Sequence, residues 1–257
     1  MPTVSFIGSG NLAWHLAPAL DNHGFIVKEV FSARPKNAAA LTERLYQAEV
    51  KSSLDFSDSP SDIFFIAVSD EVIADIAKEI VLPEKSTLVH TSGSQPLSIL
   101  QFAAAANTGV FYPLQTFTKT RAIDFKNIPV FIEASNEDAE KKLTTIAKAL
   151  TSKFRKITSE ERKALHVAAV FASNFPNHML RISKMLMEEK GLNFEWLKPV
   201  ILETINKALA TGPEYSQTGP AVRGDLEILD EHMKYLKSDK TLAKIYEIIS
   251  QDIIDKS

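Results

Sequence analysis

Up to about residue 157 the chain alternates short β-branched and aromatic runs with stretches of helical spacing. VSFIG (4–8), FIVKEVFS (25–32), DIFFIAVS (62–69), STLVHTS (86–92), GVFYP (109–113) and IPVFIEA (128–134) read as strands. Helical stretches fall between them at about 11–22, 36–48, 70–80, 96–106 and 136–151. Strands and helices alternating at this spacing imply βαβ units in a doubly wound, mostly parallel α/β sheet. FFIAV is apolar on both alternating faces, as a central strand covered by helices on both sides must be.

Beyond KFRKITSEERKAL the strand pattern stops. Long amphipathic segments fill residues 159 to 256, broken at KGLN (190–193), TGPEYSQTGP (211–220) and KSDK (237–240). Ser159 and the two glutamates after it place a cap and negative charge at the positive end of a helix dipole. The pattern predicts two domains, α/β over 1–157 and all-helical over 158–257.

Composition narrows the class of function. A net charge of −3 and a pI near 6.1 leave no basic footprint for nucleic acid. The absence of cysteine excludes disulfides, thiolate metal sites and a thiol nucleophile. No apolar run approaches the ~20 residues that span a bilayer, so no membrane partner is expected. MPTVSFIGSG reads as a strand rather than a secretion signal, which makes the cytoplasm the expected location.

The first strand runs directly into GSGNLA (8–13), a G-x-G-x-x-A turn that opens a helical pattern. Gly8 permits a tight turn, and Gly10 lets a pyrophosphate approach the backbone. Ala13 is small enough for helix-on-strand packing, and the helix N-terminus offers N–H donors to the anion. In this context the motif predicts a Rossmann-type dinucleotide site built on Gly8, Ser9, Gly10, Asn11 and Leu12, with Val68 and Ser69 at the end of a neighbouring strand. Pro18 is awkward, since it removes the helical bond to the Trp14 carbonyl. The second strand ends at Ser32, followed by Arg34 and Lys36, with Glu29 too early to meet a ribose. A hydroxyl and a guanidinium suit a 2′-phosphate, so NADP is expected over NAD; solvated loop charges are the other reading.

Ligands in such sheets sit beyond the carboxyl ends of the strands. Ser69 and Asp70, Thr91 to Ser94, and Pro113 to Thr116 are exposed to that region. Ser92 and Gly93 are well placed to meet a nicotinamide or a substrate oxygen, and Gln115 to bind substrate. His90 is either a core histidine or a functional one. In HVAAVFASNF, His166, Ser173 and Asn174 recur after about two helical turns, on a face rich in alanine. His166 is the candidate acid–base and Asn174 the candidate for orienting a carbonyl; helix packing is the alternative.

GSGNLA, HTSGS (90–94), YPLQTF (112–117), HVAAVFASNF (166–175) and TGPAVRGD (218–225) occur in that order. With them nearly the whole chain resembles the Rossmann-like NADP oxidoreductases whose C-terminal helical domain is of unknown function. These are relatives of pyrroline-5-carboxylate reductase and of the 6-phosphogluconate dehydrogenase-like group. The resemblance implies an NADP-linked oxidoreductase acting on a small molecule, and pairing as a homodimer through the helical domain. Tyr112 departs from it, standing where many members carry histidine. In TGPAVRGD, Gly219 and Pro220 break one helix, and a new one is expected from Ala221, with Arg223 and Asp225 a turn inside it. Arg223 and Asp225 are thus candidates for substrate binding, Arg223 as anchor for a carboxylate or phosphate, or else partners in a structural ion pair. Hydride transfer to a C=O or C=N group leads the functional readings. A non-catalytic NADP sensor and a site for another cofactor, such as a deazaflavin, are the alternatives.

Overall fold

The computed structural model describes residues 2–256 and divides into two compact units, one ending at Asn177 and the other beginning at His178. The first unit therefore keeps twenty residues beyond the expected boundary near 157, including the helix that opens the helical region.

Its strands are β1 (Thr3–Ile7), β2 (Ile26–Phe31), β3 (Glu49–Lys51), β4 (Ile63–Ile66), β5 (Thr87–His90), β6 (Asn107–Pro113), β7 (Val130–Ala134) and β8 (Phe154–Lys156). They form one sheet in the order β3-β2-β1-β4-β5-β6-β7-β8, parallel from β3 to β6. β7 runs antiparallel to β6, and β8 parallel to β7. The first six strands have the order of a dinucleotide-binding sheet, with its switch point between β1 and β4. β4 divides its side chains between two cores. Ile63 and Phe65 enter the one holding Phe6 and Phe111, while Phe64 and Ile66 enter the one holding Phe56 and Leu88. Such burial on both faces is the reason for a continuous apolar run.

Helices α1 (Asn11–Asn22), α2 (Pro35–Thr42), α3 (Ile73–Glu79) and α4 (Glu137–Leu150) cover the sheet. Pro18 does not interrupt α1, because Arg44 Nη1 donates to the Trp14 carbonyl that Pro18 cannot serve. The same guanidinium lies 4.2 Å from the centre of the Trp14 ring. Two expected helices are shorter: α2 stops at Thr42, and 96–106 contains only a 3₁₀ segment, Leu97–Phe102.

Helix α5 (Ser159–Ala169) is capped by Thr158 rather than Ser159, in a capping box with Glu161. Ser159 Oγ instead donates to the Glu133 carboxylate on β7, at 2.8–2.9 Å. The helix expected to continue to residue 189 widens into a π turn at Val170–Asn174 before α6 (Phe175–Glu188). Pro176 explains the change, since its ring would crowd the carbonyl four residues back in a regular helix.

The second unit contains most of α6, then α7 (Lys198–Thr211), α8 (Pro213–Ser216), α9 (Pro220–Arg223), α10 (Leu226–Leu236) and α11 (Lys240–Lys256). Among its described residues only Ala221 and Leu229 are buried. An apolar groove of about 330 Å³ runs between α6, α10 and α11, lined by Ile182, Leu186, Leu236, Ile245 and Ile249 among others. Among the described residues no helix is long and apolar enough to cross a membrane.

Candidate active site

A cleft of about 820 Å³ opens at the carboxyl ends of β1, β2, β4 and β5. All nine residues expected to bind a cofactor line it: Gly8, Ser9, Gly10, Asn11, Leu12, Ser32, Arg34, Val68 and Ser69. Gly8 takes φ 113°, and a Cβ there would come within 2.3 Å of the Ala67 carbonyl oxygen, so only glycine closes this turn. A Cβ at Gly10 would meet nothing nearer than that oxygen at 3.7 Å, which leaves room for a ligand over the backbone. Gly10 caps α1 without a side chain, and the first turn carries no acid that would repel an anion.

The wall at the end of β2 is polar and cationic. Ser9 Oγ donates to Ser32 Oγ at 2.9 Å, and Arg34, just before α2, is exposed. Glu29 is committed elsewhere, accepting from Ser5 Oγ at 3.0 Å and from Ser59 Oγ, and standing 3.6 Å from Lys51 Nζ. No carboxylate is thus free at that strand end to take the ribose hydroxyls. Size, open glycine backbone and charge all fit a 2′-phosphorylated dinucleotide.

Beside the cleft, Ser92 accepts the N–H groups of Ser94 and Gln95 at 3.1 and 3.0 Å, making a tight loop. Its own hydroxyl hydrogen meets only Ser94 Oγ, at a long 3.5 Å, since Ser94 itself donates to Asp70. Ser94 donates to Asp70, which also lines the cleft. Gly93, between these serines, is the seat of a pair that the sequence reading did not assemble. Tyr112 Oη lies 3.0 Å from His166 Nδ1, and a Cβ on Gly93 would fall 2.6 Å from that nitrogen and 2.7 Å from Tyr112 Cζ. Burial, with a further push from the Asp70 charge, raises the Tyr112 phenol above its ordinary pKa. The phenol is therefore neutral, able to donate to Nδ1 in one imidazole tautomer and to accept from it in the other. Tyr112 had been legible only as a departure from histidine; it is the hydrogen-bond partner of the predicted acid–base residue.

The helix bearing His166 is tied down by charge. Arg162, one turn earlier and only 1% exposed, pairs with Glu133 and donates to the Gln95 carbonyl. It therefore links α5 both to β7 and to the Gly93 loop. His90 is fully buried, and its Nδ1 accepts the Ser92 N–H at 3.2 Å, an arrangement that suits a core histidine.

Four other expected residues lie outside this hydrogen-bonded cluster. Asn174 is exposed, and its amide oxygen is 3.0 Å from Ser173 Oγ; no hydrogen bond joins it to His166 or Ser92 among the described residues. The π turn adds a residue to the helical repeat, so the two-turn alignment of His166 with Asn174 is lost. Gln115 is exposed, its side-chain oxygen occupied by the Thr116 N–H at 2.8 Å. Arg223 and Asp225 do not share a helix. Arg223 ends the single turn α9, Gly224 turns left-handed at φ 65°, and Asp225 caps α10 through the Ile228 N–H. No Arg223–Asp225 ion pair occurs among the described residues.

Residues 3–92 match the family model of coenzyme F420-dependent NADP oxidoreductases, and residues 128–253 match a domain of unknown function. A Bacteroides fragilis protein assigned as an NADP oxidoreductase is 36% identical, with 99% of this chain and 98% of that chain covered and a TM-score of 0.90. A Thermotoga maritima protein is 23% identical over 98% and 97% of the two chains, with a TM-score of 0.71. An imine reductase from Myxococcus stipitatus, solved with NADP+, is 14% identical over 99% and 93%, with a TM-score of 0.68. These last two are likenesses of fold. No curated protein matches the sequence. At 36% identity over essentially its whole length, the chain belongs to the Rossmann-fold NADP oxidoreductases that carry a C-terminal helical domain of unknown function.

Proposed function

We propose that this protein is an NADPH-dependent reductase of a small C=N or C=O compound. One observation carries the reading: the Tyr112–His166 pair rests on Gly93, immediately beside a residue of the dinucleotide-sized cleft. Gly8, Gly10 and the first turn of α1 would hold the pyrophosphate, and Ser32 and Arg34 the 2′-phosphate. A nucleotide bound there would supply hydride for the reduction. The chain's own residues supply the proton. Tyr112 Oη can give its proton to the substrate nitrogen or oxygen, and the phenolate recovers one when His166, in its Nδ1–H tautomer, passes that proton across and takes another from solvent at Nε2. Ser92 can donate to the same atom and orient it. Asn174 would assist only from beyond the present hydrogen-bond network. Arg223, exposed and without an ion pair among the described residues, is a candidate to hold an anionic group. We also infer a homodimer formed through the helical unit, supported by the apolar surface of α7.

The chemistry is tested by NADPH oxidation against a panel of imines and oxo acids. His166→Ala is expected to lower turnover by about 10²–10⁴ while leaving NADPH affinity in place. Tyr112→Phe should act on the same step. Full turnover in both variants would refute the assignment, and NADPH binding with no turnover in wild type would favour a sensor.

A further inference from the structure

The loop after β6 brings a cation to the cofactor cleft from outside the glycine motif. His15 Nε2 lies 2.8 Å from the Thr118 carbonyl, and the Phe117 ring centre is 6.0 Å from that of His15 and 6.2 Å from that of Phe125. These contacts pin the loop onto α1. The next residue, Lys119, lines the same cleft as Gly10, Asn11 and Leu12, with Nζ 4.6 Å from the centre of the Trp14 ring. Trp14 carries two cations, but they differ. The Arg44 guanidinium is spent on the Trp14 carbonyl, whereas the Lys119 ammonium has neither an ion pair nor a hydrogen bond among the described residues.

We propose that Lys119 is a cofactor ligand whose ammonium meets the pyrophosphate over the first turn of α1. The proposal rests on the NADPH reading above and adds a residue to it. Glycine backbone and helix N-terminus offer N–H donors but no full charge, and the pyrophosphate is a dianion. Lys119 supplies that charge, and the aromatic face of Trp14 holds it in place without neutralising it. Its position over α1 sets it apart from Ser32 and Arg34, which stand at the end of β2.

The test is a calorimetric titration of NADPH and NADH into wild type, Lys119→Ala, Lys119→Arg and Arg34→Ala, with melting curves of each protein alone. Lys119→Ala is expected to weaken both nucleotides equally, by about tenfold, as fits loss of one charge-assisted contact. Lys119→Arg should retain most of the affinity. The melting temperatures of the free variants should match wild type, because Lys119 is exposed. Unchanged affinity would mean that Lys119 only packs on Trp14, and a loss confined to NADPH would assign it to the 2′-phosphate. Either result overturns the proposal. If wild type binds neither nucleotide, the underlying cofactor reading has failed and the proposal falls with it.

Discussion

Two buried bases set the electrostatics behind the Gly93 loop, and they pull in one direction. Burial first, and the Arg162 charge second, push the His90 imidazole down to about 3, outweighing the Pro96 backbone and Asp70, which favour its protonation. His90 is therefore neutral wherever the protein works, and its role is to hold the Ser92 N–H. The consequence is a stability that depends on pH. The native value lies below the unfolded value of 6.5, so on acidification the unfolded chain takes up the proton first. The His90 contribution is fully present above pH 6.5 and is lost as the pH falls from there toward 3, at up to about 1.4 kcal/mol per pH unit. Urea unfolding at pH 7 and pH 5 should show this loss in wild type, and a shallower loss in His90→Asn, whose amide oxygen can still accept from Ser92. Equal pH dependence in both proteins would contradict the assignment.

At the scale of elements, what could be read from sequence was what is local. GSGNLA lies within one strand–turn–helix, and every residue expected of it lines the cleft. Glu29 was set aside from its position alone, and its bonds to Ser5 and Ser59 explain why it is unavailable. β3 and β8, by contrast, are three-residue strands, EVK and FRK, too short and too charged to show alternation. The Tyr112–His166 pair spans 54 residues and two elements, so no spacing rule could find it. The π turn escaped because the periodicity of 159–189 looks unbroken; the signal lay in Pro176 alone. TGPAVRGD was expected to open one helix, but Gly224 in a left-handed conformation splits it into α9 and the cap of α10. α7 carries a different message. Leu202, Ile205 and Leu209, 62%, 49% and 83% exposed, share one face at helical spacing. A stripe of that kind left in water marks an interface. Light scattering at micromolar concentration should give the mass of a dimer for wild type and of a monomer for Leu209→Asp. A monomeric wild type would remove the basis for the interface.

At the scale of the whole molecule, the first unit brings together what the chemistry needs around one switch point of its sheet. β1 and β4 leave the opening, α1 presents its N-terminus, β2 ends in a hydroxyl and a guanidinium, and β5, β6 and α5 meet at Gly93. Fold and cofactor class were legible because the hydrophobic alternation and the glycine turn record them directly. The Tyr112–His166 pair was not, because long-range packing assembles it. The central claim is that this arrangement was built for the 2′-phosphorylated nucleotide. Its most direct test is the pair of dissociation constants for NADPH and NADH, measured calorimetrically on wild type and Arg34→Ala. Wild type is expected to prefer NADPH by about tenfold or more, since a phosphate–guanidinium contact is a strong charge-assisted bond. Arg34→Ala should remove most of that preference while NADH affinity stays nearly constant. Equal affinity of wild type for the two nucleotides, or a preference that survives in Arg34→Ala, would contradict it.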